Sequence, residues 1–235
     1  LINKKKILAL IPARGGSKRL PRKNILDLAG KPMLAWSILA GLESQYIDDV
    51  VVSTDDKSIA DMALLYGAKV PFIRPDELSG DDATSVDVVV HALEYLKQKC
   101  QLYDYVVLLQ PTSPLRDAQS IDEGVLWMDQ KKADCVIGMT KINHPSEWTI
   151  ALPEGRCLDT FFKGMKKNSS SEYRINGALY ICSVERLLEE KSLFLKSKSY
   201  AFVMGREVSV DVDDYLDFML CEALLAARNL PLGKL

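Results

Sequence analysis

Histidine is nearly missing from this chain. Only His91 and His144 occur in 235 residues, which excludes a metal centre built from histidines. The five cysteines, Cys100, Cys135, Cys157, Cys182 and Cys221, are scattered, and no two stand at C-x-x-C spacing. A zinc ribbon or dithiol redox motif is thereby excluded. Long apolar runs are absent too: no stretch approaches the roughly 20 residues of a membrane span. Net charge is small, at −2, so general affinity for nucleic acid is not expected. Two familiar phosphate loops are also missing. After Gly16 comes Ser17-Lys18 without the spacing of an ATPase loop, and the dinucleotide fingerprint G-x-G-x-x-G does not occur.

The rest is ordinary for a globular α/β protein. Apolar residues make up 48% and charged residues 26%, enough for a sizeable core. The length suits one large domain. We therefore expect a single domain over 1–235, with residues 153–200 contributing an excursion that faces a partner. Lys4-Lys5-Lys6 before Ile7–Ile11 mimics a signal peptide, but Pro12 and Arg14 interrupt it. An odd number of cysteines without such a signal predicts reduced thiols and a cytoplasmic location, with neither membrane nor nucleic acid as partner.

Charge is unevenly placed. Residues 1–31 carry nine Lys or Arg against the single acid Asp27, so the remainder is strongly acidic. Most of that basic charge lies in Ile11-Pro-Ala-Arg-Gly-Gly-Ser-Lys-Arg-Leu-Pro-Arg-Lys-Asn24, directly after the apolar run Ile7–Ile11. That run reads as a buried strand. Gly15 and Gly16 are expected to take positive φ and to let the backbone approach a ligand. Successive N–H groups in such a turn make an anion site, to which Arg14, Lys18 and Lys23 can add charge-assisted bonds. The competing reading is a solvated basic loop, since charge runs are usually just solvated. Paired glycines at the end of a buried strand favour the phosphate loop.

The rest of the chain alternates between helix and strand periods. Helices are predicted over 33–44, 56–66 (stopping at Gly67), 86–99, 118–131 and 215–228. Strands are predicted over 47–53, 69–73, 105–109, 134–139, 178–182 and 208–212. Strand–helix alternation signals a parallel sheet with helices on both faces. Thr84 or Ser85 is the natural cap of the third helix, with Asp87 in its first turn. His91 falls inside that helix and is read as structural. Pro153-Glu154-Gly155 marks a turn, and the lysine- and serine-rich run 163–171 is irregular. Asn176-Gly177 is read as a turn before the strand at 178. Gln110, at the carboxyl end of the strand 105–109, sits where open α/β sheets bind ligands. Its amide both donates and accepts, which suits a sugar or nucleotide.

Near the C-terminus, Val208, Val210 and Val212 alternate. As a strand, this segment would put Asp211 and Asp213 on one face. Two carboxylates together suit a hard cation such as Mg²⁺ that also binds substrate phosphates. The competing reading is helix capping by Asp213 or Asp214, which leaves Asp211 unexplained. A polyphosphate loop near one end and a carboxylate pair near the other indicate nucleotidyl transfer. Residue physics alone names neither base nor acceptor.

Four ordered stretches between Ile11 and Asp213 carry a resemblance: IPARGGSK with Pro21-Arg22-Lys23-Asn24, Leu108-Leu109-Gln110-Pro111-Thr112-Ser113-Pro114-Leu115-Arg116, Arg174-Ile175-Asn176-Gly177-Ala178-Leu179-Tyr180, and Val210-Asp211-Val212-Asp213. The chain resembles the bacterial CMP-sialic acid synthetases, or N-acylneuraminate cytidylyltransferases. The resemblance implies a Rossmann-like three-layer α/β/α fold with a mostly parallel mixed sheet, of the nucleotide-diphospho-sugar transferase type. It implies CTP as donor, a nonulosonic acid as acceptor, Mg²⁺ (or Mn²⁺) on Asp211 and Asp213, and a homodimer. It places the triphosphate on Arg14, Gly15, Gly16, Ser17, Lys18, Lys23 and Asn24, the cytosine near Arg74, Ala83 and Ser85, and the sugar near Gln110, Arg174, Asn176, Tyr180 and Phe194. Arg14, Lys23, Asp211 and Asp213 are the implied catalytic set. Two departures stand out. Glu147 occupies a place after His144-Pro145 where relatives carry a basic residue, and Leu195 follows Phe194 where relatives carry a second aromatic. The eight-carbon-acid synthetases share the loop only in part, lacking Gly-Gly-Ser-Lys and Lys-Asn. A nucleotide-sugar binding module without turnover would not need both aspartates.

Overall fold

Alternate residues of the first apolar run go to opposite faces of a sheet. Ile7, Ala9 and Ile11 join one core, and Leu8 and Leu10 join the other, as the two-residue period of a strand requires. This strand, β1 (Ile7–Pro12), lies between β4 (Asp49–Ser53) and β5 (Tyr105–Leu108), both parallel to it. The computed structural model describes residues 4–80, 82–164 and 171–228. Asp81, and Met165 to Ser170 of the lysine- and serine-rich run, lie outside the described residues.

The six-stranded sheet has the order β4-β1-β5-β7-β6-β8. β6 (Cys135–Lys141) and β8 (Ser199–Val203) are parallel to each other. β7 (Tyr173–Ser183) runs antiparallel between β5 and β6. The expected mixed α/β architecture is therefore found. Residues 173–183 are nevertheless no excursion. Their apolar stretch Asn176–Cys182 is buried because it is covered on both faces, as interior strands are.

One core layer joins the sheet to α1 (Met33–Glu43), α2 (Lys57–Leu65) and α4 (Ala118–Lys131) through Leu34, Ile38, Ile59, Ile121 and Val125. The other joins it to α3 (Ser85–Gln98) and α6 (Val184–Glu190) through Val89, Leu93, Leu96 and Leu187. A third cluster buries Phe218, Cys221 and Leu225 of α7 (Tyr215–Arg228) against Leu28, Met33, Leu115 and Val212. Leu28 belongs to a two-strand ribbon of β2 (Asp27–Leu28) and β3 (Lys31–Pro32). A short α5 (Asp159–Gly164) lies in the irregular stretch before β7.

Caps explain the helix starts. The Asp56 carboxylate accepts from Ser58 and Ile59 amides, and Thr84 forms a capping box with Asp87. Each such cap is worth about 1 kcal/mol. Gly67 ends α2 with φ +92. His91 packs edge-on against Phe72 at 4.8 Å, a structural position.

Three expected elements differ. The predicted strand 69–73 exists only as two isolated parallel bridges, Val51 to Lys69 and Thr54 to Ile73, because Pro71 removes a ladder donor between them. Asn176-Gly177 is not a turn but a bulge inside β7. The pairing Met139–Ile175 jumps to Ile137–Tyr180, and Gly177 takes φ +75. Finally, no strand forms over 208–212. Arg206–Val208 is a 3-10 helix, and irregular backbone follows. Val212 is pulled into the third cluster, and its amide donates to the Thr112 carbonyl at 2.7 Å.

Candidate active site

The carboxyl ends of β1 and β5 open into a cleft of about 510 Å³. The loop after β1 forms one wall. Arg14, Ser17, Lys18, Lys23 and Asn24 line it. The opposite wall is Arg74 with Ala83, Thr84 and Ser85, where the N-terminus of α3 meets the cleft. Amides at such a helix start favour an anion or a polar ligand edge. Gln110 and Thr112 close the end toward Asp213.

The two glycines play parts other than those expected. Neither lies in the left-handed region. A Cβ at Gly15 would stand 2.8 Å from Asp56 Oδ2, so close approach to protein, not to ligand, demands glycine there. At Gly16 a Cβ would meet nothing within 4 Å. The loop is held by named bonds. Asn24 Nδ2 donates to the Arg14 carbonyl at 2.9 Å, and Arg14 Nη1 donates to the Gly80 carbonyl at 3.2 Å. Asn24 is thus buried and occupied in shaping the loop.

Lys23 Nζ donates to the Val212 carbonyl at 2.6 Å and lies 3.9 Å from Asp213 Oδ1. Burial pulls this ammonium below the ordinary lysine range, while Asp213 and Asp211 push the other way. Arg19 Nη1 meets Asp213 Oδ2 at 2.9 Å. That arginine was not singled out in the sequence, where it is one of five clustered cations.

A second cleft of about 870 Å³ lies on the far side of the carboxylates. Arg174, Arg206, Lys141 and His144 bring positive or polar groups to it, and Asp211, Asp213 and Asp217 form its acidic edge. Asp213 lines both clefts, so the carboxylate loop is the shared wall between them. Asp211 and Asp213 do not share a strand face. Asp211 is half-buried, and its Oδ1 is buried without a hydrogen-bond partner. Burial raises its pKa above the ordinary carboxylate range. A bond from Thr112 opposes this, and the negative charge of Asp213 adds to it.

Among the described residues no group of three or more His, Cys, Asp or Glu forms a ready-made metal cage. Two carboxylates, one with an unpartnered buried oxygen, instead fit a hard ion that takes its remaining ligands from water and phosphate.

The residues expected at the sugar separate. Gln110 lines the first cleft and Arg174 the second. Gln110 also approaches the bulge in β7: a Cβ at Gly177 would stand 2.8 Å from Gln110 Oε1 and 3.5 Å from Asp211 Oδ2. Gly177 lets both side chains converge. Asn176 is fully buried behind them. Its Nδ2 donates to Ser209 Oγ at 2.9 Å, and its Oδ1 accepts the Ala178 amide at 3.0 Å. It builds the bulge. Tyr180 belongs to the second core layer, where Phe194 stands edge-on to it at 6.2 Å. Neither ring lines a cleft, Phe194 is exposed, and Leu195 is buried. Arg116, from the same stretch as Gln110, is fully buried. Its Nη1 donates to the Ser113 and Ala178 carbonyls, and burial brings its pKa down to about 10.

Comparison with known proteins agrees with this geometry. Residues 8–153 match the family described as cytidylyltransferase. The chain is 39% identical over 228 residues to the N-acylneuraminate cytidylyltransferase of Escherichia coli O18:K1:H7, covering 95% of this chain and 53% of that protein. It spans about half the length of that relative. It is 37% identical to the pseudaminic acid cytidylyltransferase of Campylobacter jejuni, covering 95% of this chain and 98% of that one. It is 35% identical to the CMP-N,N'-diacetyllegionaminic acid synthase of Legionella pneumophila, covering 94% and 96%. Among solved structures, a CMP:2-keto-3-deoxy-manno-octonic acid synthetase complexed with CTP superposes with TM-score 0.72 at 19% identity, covering 95% of this chain and 99% of that one. At that identity the likeness concerns the fold. On its sequence match and its relatives, the chain belongs to the cytidylyltransferase family.

Proposed function

We propose that this chain transfers CMP from CTP to the anomeric hydroxyl of a nine-carbon 2-keto sugar acid, releasing pyrophosphate and forming a CMP-activated sugar. One observation carries the reading. A basic cleft sized for a nucleotide and a second cleft, where Lys141, Arg174 and Arg206 face Glu207, Asp211 and Asp217, share the Asp213 carboxylate as a common wall. The relatives named for N-acylneuraminate, pseudaminic acid and N,N'-diacetyllegionaminic acid support the acceptor class.

In this reading the triphosphate lies along Arg14, Ser17, Lys18 and Lys23, with the cytosine between Arg74 and the start of α3. Arg174, with Lys141 and Arg206, supplies positive charge for the carboxylate of the sugar acid. Gln110 stands between the two ligands and orients the attacking hydroxyl. Asp211 and Asp213 would hold Mg²⁺ (or Mn²⁺), which when bound offsets phosphate charge and acidifies a neighbouring hydroxyl. The metal or one of these two carboxylates would take part in removing the hydroxyl proton. The hydroxyl oxygen then attacks the α-phosphorus, and Lys23 meets the charge that grows on the departing pyrophosphate. Positioning of the two substrates supplies much of the rate.

The reading extends to a homodimer, supported by the exposed apolar side chains Trp148, Ile150, Leu152, Tyr173 and Ile175. It extends to a cytoplasmic setting, supported by five free thiols. No helix among the described residues is long and apolar enough to cross a membrane.

The test is pyrophosphate release with CTP, Mg²⁺ and each of N-acetylneuraminate, legionaminate, pseudaminate and the eight-carbon acid. Release with a nine-carbon acid, lost on chelation, is the expected result. Release with the eight-carbon acid alone would move the acceptor class, and CTP binding without any release would leave a binding module.

A further inference from the structure

Asp55 has no part in the mechanism above, yet it ties the loop that forms one wall of the nucleotide cleft to Arg74 on the other. It lies two residues past the end of β4. Its Oδ1 accepts the Gly15 amide at 3.0 Å and faces Arg74 Nη2 at 3.5 Å. The neighbouring backbone sets this up: the Arg74 amide donates to the Thr54 carbonyl at 2.7 Å, tying the edge segment to the end of β4. Arg74 Nε donates to Ser79 Oγ at 3.3 Å, and that hydroxyl donates onward to the Pro75 carbonyl at 3.0 Å. The Arg74 side chain is only 3% exposed.

We propose that Asp55 is a positioning residue that locks the phosphate loop and Arg74 into one frame, so that reading the base and gripping the triphosphate are coupled. The proposal rests on the reading of Arg74 as the contact to cytosine. Three physical points support it. A buried guanidinium needs a counter-charge, and removing one partner leaves the other buried and uncompensated. Arg74 loses charge stabilisation to burial, and Asp55 is the group that restores it. A carboxylate oxygen also accepts an amide more strongly than a neutral acceptor does, so the Gly15 end of the loop is pinned by the same atom. Asp56 next door has a different task, since its carboxylate caps α2 and walls off Gly15. The pair Asp55-Asp56 thus divides into a link and a cap.

The experiment compares Asp55→Asn, Asp55→Ala and Arg74→Met, with the double variant Asp55→Asn/Arg74→Met, in the full chain. Melting curves establish folding, and kcat and KM are measured with CTP and with UTP. Asp55→Asn keeps an acceptor for Gly15 but deletes the charge facing Arg74. We expect its preference for CTP over UTP to fall by up to about 100-fold, the scale of a small misplacement of a binding group. Asp55→Ala, which removes the acceptor as well, raises the KM for CTP further. In the Arg74→Met background the Asp55→Asn change adds less than about twofold, because residues in one network are non-additive. Unchanged base preference in Asp55→Asn, or effects that simply multiply in the double variant, would overturn the link.

A second readout needs no turnover. Amide hydrogen exchange at Gly15, followed by NMR in the nucleotide-free protein, accelerates in Arg74→Met if Asp55 couples the two. The milder Arg74→Lys, which keeps the charge but loses the planar fork, gives the same direction should Arg74→Met not fold. Gly15 exchange unaffected by Arg74 sinks the proposal. Absence of CTP turnover in the unaltered chain strikes the proposed function instead, and leaves Gly15 exchange to decide on Asp55.

Discussion

The Lys23 ammonium donates to the backbone carbonyl of Val212 at 2.6 Å, joining the basic loop to the acidic loop across 189 positions of sequence. The lysine is therefore both a cation lining the first cleft and a strut. Lys23→Met should lower kcat by about 10²- to 10³-fold, the usual cost of one donor aimed at a developing negative charge. It should also loosen the 209–214 segment. Lys23→Arg should not restore turnover, since a planar fork replaces a point charge with three rotatable donors. Steady-state pyrophosphate release and limited proteolysis check the two parts.

Asp211 trades stability for function. Its raised pKa means that the folded chain holds the proton more tightly than the unfolded chain does. The cost of ionisation is absent below the ordinary aspartate range. It appears as pH rises through the raised value and persists above it. Asp211→Asn should therefore stabilise the metal-free protein at pH 7.5, by roughly 1 kcal/mol for one unsatisfied buried oxygen. That corresponds to about 2–4 °C in a chain of this size, and the advantage should shrink toward pH 4. Turnover should be lost. Melting curves of both proteins at the two pH values, without metal or nucleotide, decide it.

The paired glycines should respond in opposite ways. Gly15→Ala drives a methyl against Asp56 Oδ2 and should cost about 1–3 kcal/mol in stability. Gly16→Ala enters open space in the free protein. It should leave the melting temperature unchanged, and in the proposed reading, where this loop grips the triphosphate, it should raise the KM for CTP. A melting shift for Gly16→Ala with unaltered KM would contradict this assignment.

Thiol reactivity should follow burial. Cys100 and Cys157 are exposed, whereas Cys135, Cys182 and Cys221 are buried. Burial pushes the Cys221 thiol up to about 12, so almost no thiolate exists at pH 8. Iodoacetamide at that pH should label the two exposed cysteines in the native chain and all five after unfolding, as read by intact mass.

How far the sequence could be read follows from the range of each interaction. Helix starts were legible because caps are local: Asp56, Thr84 and Asp87 act within three residues. β1 was legible because Ile7–Ile11 is a continuous apolar run of strand length, bounded by Lys6 and Pro12. Arg14, Lys18 and Lys23 were legible from the loop, Gln110 from the strand end and Arg74 from the family resemblance, and all five line the first cleft. Other features depend on partners far away in sequence. The valines 208, 210 and 212 mimic a strand, but the Thr112 carbonyl captures the Val212 amide and the ladder never forms. Asn176-Gly177 looks like a turn, and only the β6 register turns it into a bulge. Asn176 and Tyr180 carried motif identity, which does not distinguish a residue that touches a ligand from one that shapes the wall behind it. Asp55 stands in no motif, and its partners Gly15 and Arg74 lie 40 and 19 positions away in sequence.

The placement of β7 bears on how the protein comes into being. A strand inserted antiparallel between β5 and β6 pairs residues 105–108 with 180–183, and the acidic loop at 211–213 is tied to Thr112 through the Val212 amide. Contacts of such separation form late, because loop closure must precede them. As the ribosome releases the chain, the phosphate loop therefore exists for most of synthesis as a half-built cation trap facing no carboxylates. A chain cut short before residue 211 keeps the basic loop but lacks the acids placed opposite it.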